Sequence, residues 1–172
     1  MQNPKREGNI THLLNVGERQ LFDVFGPTIQ FFTAPDDVDE TLCVMKGDIP
    51  PGVCVPMHSH VGVECFFLVA GELEVLTEVD GKFSWVTTKA GSFIHVPSLA
   101  KHAFRNSSTA PAMSLISTTA RLGRFFEEVG RPVRAHERLE APTPEERQHF
   151  VEVAARYGYW LATPEENAAV GI

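Results

Sequence analysis

The chain has 172 residues, 43% of them hydrophobic and 22% charged, which is ordinary globular composition and one domain's length on the usual scale of roughly 100–200 residues. Its formal net charge is −7, from 22 acidic and 15 basic residues, so no basic field is present to attract a nucleic-acid backbone. No run approaches the roughly 18 apolar residues of a membrane helix. The first residues mix Lys5, Arg6, Glu7, Glu18 and Arg19 without the apolar stretch of a signal peptide, so a cytoplasmic protein is expected. Cys43, Cys54 and Cys65 form no CxxC pair, and an odd count argues for reduced thiols rather than disulfides or a thiolate zinc site.

Residues 1–27 read as an N-terminal arm. From Thr28 to Thr119 short apolar or alternating runs are punctuated by Gly, Pro and Asp, the pattern of many short strands. The candidate strands are Ile29–Thr33, Thr41–Lys46, Val53–His60, Glu64–Val69, Glu72–Val79, Phe83–Thr88, Ser92–Val96, Ala103–Asn106 and Ala112–Thr118. Asp80-Gly81 marks a tight hairpin between Glu72–Val79 and Phe83–Thr88, because both residues tolerate positive φ. In Glu72–Val79, Glu72, Glu74 and Glu78 share one face, which should meet water, and Leu73, Val75, Thr77 and Val79 share the other.

Past the strands, Leu122, Phe125, Phe126 and Val129 fall at helical spacing, with Gly130 as a stop. A Pro-punctuated linker, Arg131 to Pro142, leads to Thr143-Pro-Glu-Glu146, a capping box that starts a helix running to about Tyr157. Phe150, Val153, Ala154 and Tyr157 form its apolar stripe, and Gly158 ends it. Thr163-Pro-Glu-Glu166 repeats the starting signal. The expected class is all-β over residues 28–120, with a C-terminal α-helical extension, 121–172, packed on the barrel or on a partner.

The chemistry concentrates in two stretches. In Gly52-Val-Cys-Val-Pro-Met-His58-Ser-His60-Val-Gly-Val-Glu64, two histidines two apart project from one face of a strand and can meet one metal ion. Glu64 can close toward the same point from the next strand. Gly91-Ser-Phe-Ile-His-Val-Pro97-Ser-Leu-Ala-Lys-His102-Ala-Phe-Arg-Asn106 supplies a fourth candidate ligand.

Together these stretches resemble the paired motifs of the cupin superfamily, G-x5-H-x-H-x3-E-x6-G and G-x5-P-x-G-x2-H-x3-N. The first is matched at every defining position from Gly52 to Gly71, and the second departs once, with Leu99 in place of a turn glycine. The resemblance implies a double-stranded β-helix, or jelly-roll β-barrel, with His58, His60, Glu64 and His102 as metal ligands. It also implies a homodimer, and a looser likeness extends to bacterial cupins described as quercetin-dioxygenase-like.

Imidazole nitrogen with carboxylate oxygen suits one divalent transition metal, Fe, Mn, Ni, Co, Cu or Zn, rather than calcium or magnesium. Four protein ligands leave open positions, as catalysis requires. Strand parity places Cys54, Pro56, His58 and His60 on one face, Glu64, Phe66, Leu68 and Ala70 on another, and His102, Phe104 and Asn106 on a third. An interior lined by these residues, without Arg or Lys, is a poor cradle for phosphorylated sugars. It better suits a small neutral aromatic or enol-containing compound, handled by a metal-dependent dioxygenase-like oxidoreductase with Glu64 as ligand or as catalytic base. The alternatives are a non-catalytic ligand-binding cupin and a metal-dependent isomerase or lyase. His95 reads as a core or pocket-rim residue, His12, His136 and His149 as exposed, and Trp85 as barrel packing.

Overall fold

The structure, a computed structural model, describes residues 13, 19–33, 35, 41–134 and 140–172. In chain order its elements are β1 (Leu21–Asp23), β2 (Thr28–Phe31), β3 (Leu42–Ile49), β4 (Cys54–Ser59), β5 (Glu64–Ala70), β6 (Glu72–Val79), β7 (Lys82–Lys89), β8 (Phe93–Val96), β9 (His102–Arg105), β10 (Ala112–Thr119), α1 (Ala120–Val129), β11 (Arg131–Val133), α2 (Pro144–Tyr157), β12 (Trp160–Leu161) and α3 (Pro164–Ala169). Two antiparallel sheets, ordered β11-β1-β2-β3-β10-β5-β8 and β12-β4-β9-β6-β7, face each other in a jelly-roll sandwich. The all-β class with a small helical C-terminal part is therefore as expected.

Period-2 alternation builds the core between the sheets. Met45, Phe66, Leu68, Leu73, Val75, Phe104 and Ile116 are buried there from both layers, each burial worth roughly 1.5–3 kcal/mol. The predicted hairpin forms as a two-residue turn, Val79 opposite Lys82, with Asp80 at φ 52° and Gly81 at φ 74°. Gly71 joins β5 to β6 at φ 81°, and a Cβ there would lie 2.4 Å from the Pro111 carbonyl oxygen.

Three short strands escape the sequence pattern. Residues 21–23, expected within an arm, form β1, and the start of the expected linker, Arg131–Val133, forms β11 opposite it. Asp23, fully buried, accepts two hydrogen bonds from the Arg131 guanidinium through Oδ2 and one from the Gly26 N–H at 2.9 Å through Oδ1. Arg131 also donates to Glu146 at the start of α2. One ion-pair cluster thus ties the first strand to the C-terminal helix.

The extension folds back by rules written into its sequence. The Thr143–Glu146 capping box forms, α2 ends at Gly158 in the left-handed conformation (φ 79°), and Phe125 and Val129 of α1 bury against Val153 and Ala154 of α2. After Gly158 the chain adds β12 to the edge of β4, Trp160 opposite Ser59 and Leu161 opposite His58. Beyond it Trp160, Ala162, Val170 and Ile172 cover Met57, Leu76 and Ala103 on the outer face of the five-stranded sheet. That cover corrects the expectation of a wholly solvated acidic face on β6: Leu76 is buried there, and Glu74 is half-buried in an ion pair with Arg105 at 2.8 Å.

Candidate metal centre

β4 and β9 pair so that His58 stands opposite His102, but their register shifts between Val55 and His58. This bulge falls at Pro56, which has no N–H for the ladder. Val55 packs against the interior core, while Met57 joins the outer cluster. Strict parity had grouped Cys54 and Pro56 with the histidines. Instead Pro56 is exposed, and Cys54 pairs with Arg105, whose side chain lies on the outer face over Trp85. The other two faces are as expected: Glu64, Phe66 and Leu68 of β5 are buried inward, as are His102, Phe104 and Asn106.

Of the four residues singled out by the motifs, the three histidines form one cluster and Glu64 lies at its edge. One ring nitrogen of each of His58, His60 and His102 lies within 4.8 Å of the others. The His58 and His102 ring centroids are 4.2 Å apart, and His60 crosses His102 edge-on at 5.1 Å. Glu64 sits beside them: the His60 Nε2–H donates to Glu64 Oε2 at 3.1 Å, and His102 Nε2 lies 4.0 Å from the same oxygen. His60, Glu64 and His102 expose 1%, 3% and 3% of their surface, too little for water to satisfy them.

Backbone carbonyls orient two of the rings. The Nδ1–H of His58 donates to the Pro56 carbonyl at 2.8 Å, and that of His102 to the Ala100 carbonyl at 2.9 Å. In each ring this leaves Nε2 as the lone-pair nitrogen, the arrangement in which a metal-ligating imidazole is held. His58 is pushed down to about 4 by burial, offset by the Pro56 hydrogen bond and aided by nearby His60. His102 is pushed down to about 3 by burial and then by its imidazole neighbours. Both rings are therefore neutral at pH 7, as ligation requires.

The fit to a metal rests on atoms the protein leaves unpaired. His60 Nδ1, Glu64 Oε1 and His102 Nε2 are buried and have no hydrogen-bond partner, although such groups cost roughly 1–3 kcal/mol each when unsatisfied. Orphans on neighbouring residues with nitrogen and oxygen donors match a borderline divalent cation. His58, His60 and His102 could hold it, with Glu64 as neighbour.

Around the centre, a groove of ≈ 630 Å³ runs between the β6–β7 hairpin and β8 and reaches His102. Val75, Val86, Phe93 and Ile94 contribute its apolar lining, while Glu78, Asp80, His95 and Lys101 add polar groups. Among the described residues no Arg or Lys is buried, but Lys101, which also stacks over Trp160 at 4.1 Å, borders the groove. His95 is exposed at its rim, and His149 is exposed on α2; His12 and His136 lie outside the described residues. Trp85 packs as expected, donating from Nε1 to the Val170 carbonyl at 2.8 Å.

Two residues look different from the expectation. Leu99, at the position of the usual turn glycine, adopts φ 66° and donates its N–H to the His60 carbonyl at 2.8 Å, so the glycine's conformation survives without the glycine. Tyr159 was not among the candidate residues, yet its ring stacks on His58 at 5.9 Å and lies 5.0 Å from His60. The Gly158 stop signalled the end of the helix. Nothing in helical or strand spacing showed where the next ring would land.

Residues 45–118 match the cupin domain family (Cupin_2). The matched stretch runs from within β3 to within β10. Solved cupin-fold structures agree with this at the level of fold. A predicted oxalate decarboxylase from Thermotoga maritima is 17% identical, with a TM-score of 0.54 over 63% of this chain and 98% of that one. An RmlC-like cupin from Shewanella frigidimarina is 19% identical, with a TM-score of 0.51 over 64% of this chain and 92% of that one. A Bacillus subtilis oxalate decarboxylase with Mn(II) centres is 18% identical, with a TM-score of 0.54 over 68% of this chain but only 32% of its own. No curated protein sequence matches the chain significantly. Among the described residues no helix is long and apolar enough to cross a membrane.

Proposed function

We propose that this cupin domain binds one divalent transition metal through His58, His60 and His102, with Glu64 as a fourth ligand or as the base beside it, and acts as a dioxygenase-like oxidoreductase. The substrate class is a small neutral aromatic or enol-containing compound. One observation carries the reading: a cluster of three imidazoles with orphaned buried polar atoms borders a groove with a largely apolar lining.

When bound, the metal would supply Lewis acidity and a site for an oxygen donor. The protein's own residues do the rest. Val75, Phe93 and Ile94 offer apolar contact for a flat ring, and the dry interior strengthens any charge interaction made there. The unpaired Oε1 of Glu64 is the one carboxylate oxygen at the centre able to accept a hydroxyl proton from a substrate without first breaking a hydrogen bond. A homodimer and a cytoplasmic setting belong to the same proposal, and sedimentation of the purified chain tests the first of these.

The test is oxygen uptake by iron-, manganese- and nickel-loaded protein given flavonols, β-diketones and catechols under air. Uptake coupled to loss of one of these compounds is expected. Metal-loaded protein that consumes no oxygen with any of them would leave the non-catalytic or the isomerase and lyase reading in its place.

A further inference from the structure

The C-terminal extension closes the edge of β4, and the closure is irregular at one residue. Leu161 pairs with His58, a register that sets Ala162 opposite Met57, where an antiparallel ladder exchanges two backbone hydrogen bonds. One of them forms, from the Ala162 N–H to the Met57 carbonyl at 3.0 Å. In place of the other, the side-chain amide of Asn167 is inserted between the strands. Its Oδ1 accepts the Met57 N–H at 2.9 Å, and its Nδ2 donates to the Ala162 carbonyl at 3.2 Å and to the Thr163 carbonyl at 3.1 Å. This orientation of the amide satisfies all three contacts, whereas the flipped one would set N–H against N–H and oxygen against two carbonyls.

The Met57 N–H and the Pro56 carbonyl belong to one planar peptide unit. That carbonyl accepts the Nδ1–H of His58 at 2.8 Å. Pro56 has no N–H of its own with which to hold the bulge it occupies, so the tilt of the plane is fixed from the Met57 side. We propose that Asn167 is a positioning residue of the candidate metal centre: by accepting the Met57 N–H, it sets the peptide plane whose carbonyl holds the His58 ring with Nε2 free to ligate. An acceptor on the N–H side also polarises the carbonyl and strengthens its bond to the imidazole. The hold is on His58, since His102 is oriented by a different carbonyl, that of Ala100, at 2.9 Å. A residue 110 positions beyond Met57 is then part of the site, and the barrel motifs alone do not complete it. The inference deepens the metal-site reading and rests on it wherever an ion is involved.

The test compares the full-length wild type with Asn167→Ala and with Trp85→Phe, which loosens the same C-terminal segment elsewhere by removing the Nε1 donor to the Val170 carbonyl. In the metal-free proteins near neutral pH, the ¹⁵N shifts of the histidine rings report which nitrogen carries the proton. The His58 proton is expected at Nδ1 in the wild type and in Trp85→Phe. In Asn167→Ala the two His58 shifts should converge as the Nε2–H form gains population, with His102 unmoved. An unmoved His58 in Asn167→Ala, or equal movement in Trp85→Phe, would overturn the proposal. The wild type alone covers the case in which Asn167→Ala does not fold: a scalar coupling across the hydrogen bond from the Met57 amide nitrogen to the Asn167 side-chain carbonyl carbon is expected, and its absence would overturn the proposal too. Co(II) should bind Asn167→Ala about 10-fold more weakly, as when an outer partner of a ligand is lost, and wild-type affinity would overturn the role in the centre. A wild type that binds no Co(II) sinks the metal reading instead, and the His58 shifts still decide the hold on the ring.

Discussion

Acid should unfold the metal-free chain through its own candidate ligands. In the folded state His58 and His102 titrate at about 4 and about 3, both held down chiefly by burial, whereas an unfolded imidazole titrates near 6.5. Above about pH 7.5 neither state is protonated at these rings, and they do not affect the balance. As the pH falls through 6.5, the unfolded chain takes up two protons that the folded chain refuses. Each ring then costs the fold ~1.4 kcal/mol per pH unit, or about 2 kcal/mol each and about 4 kcal/mol together at pH 5. The loss continues until the folded rings protonate at about 4 and about 3. Urea denaturation of chelator-treated protein at pH 7.5 and pH 5 measures it. Because other groups titrate in the same range, the comparison that matters is with His102→Gln, whose loss between the two pH values should be smaller by about 2 kcal/mol. Parallel losses in wild type and variant would refute the claim that His102 is buried in its neutral form.

Leu99 holds a left-handed backbone that costs a non-glycine residue roughly 1–2 kcal/mol, and its side chain is 62% exposed. Leu99→Gly should therefore stabilise the chain by about 1 kcal/mol in urea once glycine's own entropy is deducted, and a destabilised variant would mean that Leu99 contributes packing. Asp23→Ala strips one of two carboxylate partners from Arg131 and the acceptor from Gly26, and should cost about 3 kcal/mol. A loss under about 1 kcal/mol would show that the pairing of β1 with β11 does not depend on that ion pair.

The fold was legible wherever one face of a strand is dry and the other wet. Alternation in β5 and β9 sorted residues into the core, in β6 it did so only for Leu73 and Val75, the Asp80-Gly81 turn set a register, and the Thr143 and Gly158 signals bounded α2. Very short strands carry too few residues to show a period, so β1, β11 and β12 were invisible, their pairing being decided by distant partners. Parity failed in β4 because a bulge at Pro56 inserts one residue, after which counting by twos assigns Cys54 and Pro56 to the wrong side. The candidate centre was legible as a set of residue types at fixed spacings, but not as a complete enclosure. Tyr159 reaches it from the far end of the chain, by a helix stop and an edge pairing that no local pattern records.

His58, His60 and His102 are proposed to hold one ion in the barrel. Elemental analysis of the wild type, His58→Ala and His102→Ala, each exposed to the same divalent metals and then desalted, tests it directly. About one ion per wild-type chain and strongly reduced content in both variants are expected. Equal metal content in all three proteins would contradict it.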